Sequence, residues 1–228
     1  MKKASRGFGL IELMIALVLG LLVVAGVIQI FSAARGTYVT QNASARLQED
    51  ARFVLSKMLQ EIRMVGMFGC LRTVASAGTS LDTPIAWDPN SATLTLLTAD
   101  IGANGGVPTW TIVSDCVSTS RLYPGTQAAG GGQIAYPIRQ VVYTYQNGQL
   151  LLGPAGNRAV LVDNVSVFRI SFGVATSATD TLASSYTSAP TNPALIRSVR
   201  LSMTLHDPAA QVRDQSYSVV AALRNRLQ

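Results

Sequence analysis

Hydrophobic positions follow two different patterns in the first third of the chain. From Phe8 to Phe31 apolar residues run almost without interruption, and Leu13 to Ile28 holds no charged or strongly polar side chain. As an α-helix, Phe8–Phe31 would be about 36 Å long, enough to cross the hydrocarbon core of a bilayer. From Leu47 the pattern becomes a stripe. Leu47, Ala51, Val54, Leu55, Met58, Leu59, Ile62 and Val65 recur at steps of mostly three and four, which marks one face of a helix. Gln48, Glu49, Arg52, Lys57, Gln60, Glu61 and Arg63 take the other face. Arg46–Asp50 and Lys57–Glu61 are spaced as i,i+4 ion pairs. No proline precedes Pro84, and Gly66 and Gly69 supply stop signals. The spacing predicts one helix from Phe8 to about Val65. Gly20, Gly26 and Gly36 are points where it would bend, or pack closely against other helices.

After residue 70 the period changes to two. Thr93–Thr98 and Thr109–Ser114 read as short strands. Gln140–Gln146 and Gln149–Leu152 flank Asn147-Gly148, a strong hairpin signal. In Val165–Val174 the apolar positions switch faces after Val167, which calls for a bulge or burial on both sides. Leu195–His206 and Gln215–Arg224 are the last strands, separated by a turn at Asp207-Pro208-Ala209-Ala210. Loops are expected at Ala75–Asn90, Gly102–Pro108, Pro124–Gln133 and Ala175–Pro193. The fold class is therefore α+β: a long N-terminal helix packed on an antiparallel β-rich body. The expected division is a leader at residues 1–7, the helix at 8–69 with 8–31 apolar enough to span a membrane, and the body at 70–228.

Composition adds two points. The chain is 48% hydrophobic and only 13% charged, against roughly 25% charged in average soluble proteins. Lys2, Lys3 and Arg6 supply half of the net charge of +6, and the remaining cations form no stripe, so a nucleic-acid partner is not expected. The basic flank lies N-terminal to the apolar run. The positive-inside rule then leaves residues 1–7 in the cytoplasm and the body outside. For an extracytoplasmic body, Cys70 and Cys116 read as a disulfide worth about 4 kcal/mol in the chain-entropy treatment. The other reading is two unpaired buried thiols.

No catalytic or metal constellation stands out. His206 is the one histidine. It has Asp207 and Asp214 nearby in sequence, but no G-x-S-x-G accompanies it. No calcium-loop pattern is present, and Gly130-Gly131-Gly132 lacks the G-K-[ST] of a phosphate loop. Trp87, Trp110, Tyr143, Tyr145 and Tyr217 are expected to pack in the core or loops. No cofactor and no metal are expected.

Glu12 is the informative residue. A carboxylate in an apolar spanning segment costs roughly 2.5–3.5 kcal/mol at mid-membrane. A secretory signal peptide would be shorter and would end in a small-residue cleavage site. A plain anchor would have no use for the acid. Cleavage after Gly7 would expose an amine on Phe8, and the Glu12 of one chain could meet that amine on a neighbour staggered along a fibre.

Gly7-Phe8-Gly9-Leu10-Ile11-Glu12-Leu13, after a basic leader, resembles the class III signal of type IV prepilins and type II secretion pseudopilins. Gly9 departs from the Thr or Ser usual at that place. The resemblance implies cleavage after Gly7 by prepilin peptidase, N-methylation of Phe8, and an assembly role for Glu12. Arg63-Met64-Val65-Gly66-Met67-Phe68-Gly69-Cys70 is similar to the R-x-A-G-Y-x-G-C stretch of PilW-type minor pilins, with Val65 and Met67 in place of Ala and Tyr. Leu223-Arg224-Asn225-Arg226 is similar to the ending common in that group. This implies a non-enzymatic minor pilin of the type IV pilus. It would sit in the inner membrane with its body in the periplasm, then in the pilus at the cell surface. There it would prime assembly within a minor-pilin tip complex and support twitching motility and adhesion. The implied partners are other minor pilins, the major pilin, prepilin peptidase and a tip adhesin. The alternatives are a J-type pseudopilin of type II secretion and, from another class, a membrane-anchored enzyme or adhesin with no fibre role.

Overall fold

A computed structural model describes residues 9–71, 74–75, 81–100 and 107–223. The chain divides into two compact units, Met1–Arg46 and Leu47–Gln228. Helix α1, Leu10–Met64, runs through the boundary between them. In the first unit it is a bare helix. Each of its large apolar side chains from Leu10 to Phe31 is 53–77% exposed. The helix continues through Gly20, Gly26 and Gly36, and a Cβ at any of the three would meet open space.

In the second unit the amphipathic stripe meets the body. Leu47, Ala51, Val54, Leu55, Met58 and Ile62 are buried, with Leu59 packed at the margin. The opposite face stays polar, and Lys57 Nζ lies 2.8 Å from Glu61 as the i,i+4 spacing requires. The other expected pair is not made. Asp50 has no ion-pair partner among the described residues, and burial, Asp163 and Glu49 together push its carboxyl pKa up.

Eleven strands follow among the described residues, in two antiparallel sheets. They are β1 (Ile85–Asp88), β2 (Thr93–Ala99), β3 (Trp110–Ser114), β4 (Ser120–Pro124), β5 (Ile134–Gln146), β6 (Gln149–Leu152), β7 (Ala159–Val162), β8 (Val165–Val174), β9 (Ser185–Thr187), β10 (Ile196–Leu205) and β11 (Gln215–Ala222). The first sheet has the order β1-β2-β5-β3-β4, with β6 joining β5 to β7; the second is β11-β10-β8-β9. The buried side of the helix shares one core with Leu94, Leu96 and Tyr143 of the first sheet and Ile170, Phe172, Val199, Leu201 and Met203 of the second. Asn147 and Gly148 both take positive φ, 52° and 73°, in the β5–β6 turn, as a type I′ hairpin needs.

The face switch in β8 is a bulge. Val167 pairs with Thr204 but Val165 with Leu205, leaving Ser166 as the extra residue. This register puts Phe168, Ile170 and Phe172 opposite Met203, Leu201 and Val199 on the core side. Two expected loops contain strands: β1 lies within Ala75–Asn90 and β9 within Ala175–Pro193. Gly102–Pro108 is described only from residue 107.

The long connection around β9 is held by a buried cation. Arg197 is 4% exposed. Its guanidinium donates to the carbonyls of Asp180 at 2.6 Å, Ala194 at 2.8 Å and Ala178 at 2.9 Å. One fork thus satisfies carbonyls from two parts of the loop. Arg197→Met would remove the one donor group these carbonyls share, so we expect a loss of about 2 kcal/mol in urea unfolding, with faster amide exchange confined to residues 175–195. Unchanged unfolding would show that the loop holds without the guanidinium.

Candidate functional site

The helix start is the first element. Gly9 is the capping residue: its carbonyl accepts from the amides of Glu12 and Leu13 at 3.1 and 3.3 Å. Glu12 reaches back, and its Oε2 accepts the Gly9 N–H at 3.2 Å. This is the acidic half of a capping box, at the end of the helix where the macrodipole favours negative charge. The carboxylate thus has one donor within its own chain. One N–H occupies only a fraction of the acceptor capacity of an ionised carboxylate, and it leaves the charge in place. Gly7 and Phe8 lie outside the described residues.

Behind Glu12, α1 includes an 18-residue window of mean hydropathy 2.8 with none of it buried. By length and composition this is the one membrane-span candidate among the described residues. An apolar surface of this extent has to be covered by lipid or by other apolar helices.

The second element is Arg63–Cys70, where helix becomes body. The helix ends because Gly66 takes φ 76°, a left-handed conformation that glycine adopts without strain. The freed groups are taken up by β2: Thr98 Oγ1 donates to the Met64 carbonyl at 3.2 Å, and Gly66 N–H donates to the Leu97 carbonyl at 3.2 Å. Gly69 has φ 121°, and a Cβ there would come within 3.0 Å of the Tyr136 ring. Cys70 then forms a disulfide with Cys116, with an S–S distance of 2.00 Å. The glycine–glycine–cysteine spacing thus ends the helix, slides the backbone under an aromatic ring and ties it to the β3–β4 turn.

That turn is strongly organised. The Asp115 carboxylate accepts the N–H groups of Val117, Ser118 and Thr119 at 2.8–2.9 Å, and both hydroxyls of Ser118 and Thr119. These donors hold its pKa far below the ordinary 3.8. A third anchor was not legible from spacing: the buried Tyr143 hydroxyl of β5 donates to Glu61 of α1, and burial followed by the Glu61 charge pushes the phenol pKa up.

The remaining chemical candidates do not converge. His206 Nδ1 is buried without a partner among the described residues. The Asp207 carboxylate holds the N–H groups of Ala209 and Gln211 in the expected turn, and Asp214 accepts from Ser166. No group of three or more His, Cys, Asp or Glu residues able to hold a metal occurs among the described residues. Tyr145 lies 5.9 Å from Phe168 between ring centres, Tyr217 donates to Gln215, and Trp110 packs on a small second core around Ile112 and Ile138.

Residues 2–28 match the family of the prokaryotic N-terminal methylation motif. Among curated proteins no relative matches the sequence. The motif supports a pilin-like protein with a structural role, held in a membrane by its apolar helix before assembly into a pilus or pseudopilus. It implies processing by prepilin peptidase and contact with other subunits of such a fibre.

Two outcomes are expected of the body. Cys70→Ser should lower stability by about 4 kcal/mol under oxidising conditions and leave the reduced protein unchanged; equal melting temperatures in oxidising buffer would contradict the bridge's role. A carboxylate whose folded pKa is depressed stabilises the fold above its ordinary value, and that contribution is lost as pH falls through the folded pKa. The Asp115 carboxyl resonance should accordingly titrate well below 3.8, and a midpoint near 3.8 would show that the turn does not hold the charged form.

Proposed function

We propose that the chain is a minor pilin of the type IV pilus, of the PilW type. Prepilin peptidase cuts after Gly7 and Phe8 is N-methylated. The helix holds the subunit in the inner membrane, with the body in the periplasm. On assembly the helix moves into the fibre core. The subunit joins other minor pilins and the major pilin in a complex that primes the pilus, carries a tip adhesin and supports twitching motility and adhesion.

The observation that carries this reading is a coincidence within one chain. The matched motif at residues 2–28 is followed by Arg63–Cys70, in which both glycines and the cysteine have structural work that ties them to their places. Electrostatics supports it further. Glu12 has one backbone donor and no cation from the described residues, so the Phe8 amine of an adjoining subunit is the natural counter-charge in an apolar bundle. A J-type pseudopilin would share the motif and the helix, and differs in the company it keeps.

Gly7→Ala should leave the precursor at full length, and a mature-sized band on a blot would contradict processing at this site. Glu12→Gln is the sharper variant. It keeps an oxygen for the Gly9 cap and removes the charge, so it should be cut normally yet co-purify with other minor pilins at least tenfold less. Normal recovery of Glu12→Gln would mean that the residue acts only as a cap. Recovery of the native chain with secretion-system pseudopilins in place of minor pilins would establish the other fibre.

A further inference from the structure

One strand edge of the body is left without a neighbour. β8 pairs with β10 along one side, but β9 covers the other side only at Phe172–Val174. β9 ends at Thr187, where the Ala189 N–H turns back onto the Thr187 hydroxyl and Pro190 follows. No described strand pairs with Val167–Ser171 on that side. Phe168–Ser171 borders instead a groove of about 470 Å³, lined also by Trp87 of β1 and by Pro89. β1 is itself the edge strand of the first sheet.

The pleat gives this groove two kinds of wall. Phe168 and Ile170 belong to the core side, with Trp87 packed against the same cluster. Arg169 and Ser171 belong to the other face, in register with Ser202 and Arg200 of β10. The Arg200 guanidinium stands 3.9 Å from the centre of the Tyr186 ring. Neither Arg169 nor Arg200 has a carboxylate partner among the described residues.

We propose that this edge binds an extended segment of a partner protein by strand addition, and that the segment alternates apolar with acidic side chains. An open strand edge offers a row of backbone donors and acceptors that another extended chain satisfies. Side chains of an added strand alternate between faces, so every second one meets the Phe168–Ile170–Trp87 wall and the others meet the two guanidiniums. The five edge residues Val167–Ser171 correspond to about 17 Å of paired chain. The proposal is independent of the fibre reading, since an uncut, solitary chain would keep the same edge and the same charges.

The test is amide exchange by mass spectrometry on the full chain in detergent. The probe is the peptide acetyl-Val-Asp-Val-Glu-Val-amide at millimolar concentration, with a control in which lysine replaces both acids. The acidic peptide should slow exchange at residues 167–171 severalfold, and the control should not. In the Arg169→Glu, Arg200→Glu double variant the preference should reverse. No protection by the acidic peptide, or equal protection by the control, would overturn the proposal. Protection that rises with protein concentration without any peptide would overturn it too, by showing that the occupant is a second copy of this chain.

Discussion

Between Leu10 and Phe31 every large apolar side chain of α1 is more than half exposed, and fully burying one such side chain is worth about 1.5–3 kcal/mol. The amphipathic stripe that fills the core begins only at Leu47. The first half of the helix is therefore written for an apolar environment outside its own chain, lipid at first and other helices afterwards. In such surroundings a single ionised group dominates local energetics, and here that group is Glu12. Its hydrogen bond from Gly9 orients the carboxylate at the head of the helix without neutralising it. A solvent-free setting then rewards whatever cation comes to that position.

The second half of the helix follows a different logic. It is fixed to the two sheets through its buried stripe. Three devices do this beyond core burial. Tyr143 grips Glu61 from β5, Thr98 takes the last helical carbonyl, and the Cys70–Cys116 bridge ties the exit strand to the β3–β4 turn. Gly66 and Gly69 take the positive φ values of this passage, and the amides of Gly66 and Met67 are bonded to the Leu97 and Met64 carbonyls. Arg197 does comparable work for the loop around β9 with carbonyls as its only partners among the described groups.

The helix stripe, the hairpin turn and the bulge were legible in the sequence, and several short strands were not. The helix stripe emerged almost residue for residue, because burial on one face repeats over several turns. The Asn147-Gly148 hairpin was legible because positive φ at both positions restricts the residue choice. The bulge at Ser166 was legible as a change of face within β8. By contrast β1, β4, β7 and β9, three to five residues long, were not expected as strands. Ile134–Arg139 was hidden because it extends a strand past the point where its apolar pattern weakens. The Glu61–Tyr143 contact joins residues 82 positions apart, and no local pattern encodes it. Gly7 and Phe8 were readable only as a motif, and the Arg46–Asp50 spacing is not matched by an ion pair among the described residues.

The mass of the native N-terminus tests the account most directly, since the proposed counter-charge for Glu12 exists only on a processed chain. Intact-protein and peptide mass spectrometry of protein isolated from its own membrane should find a chain beginning at Phe8 and carrying one methyl group on its amine. A chain that begins at Met1, with its basic leader still attached, would contradict it.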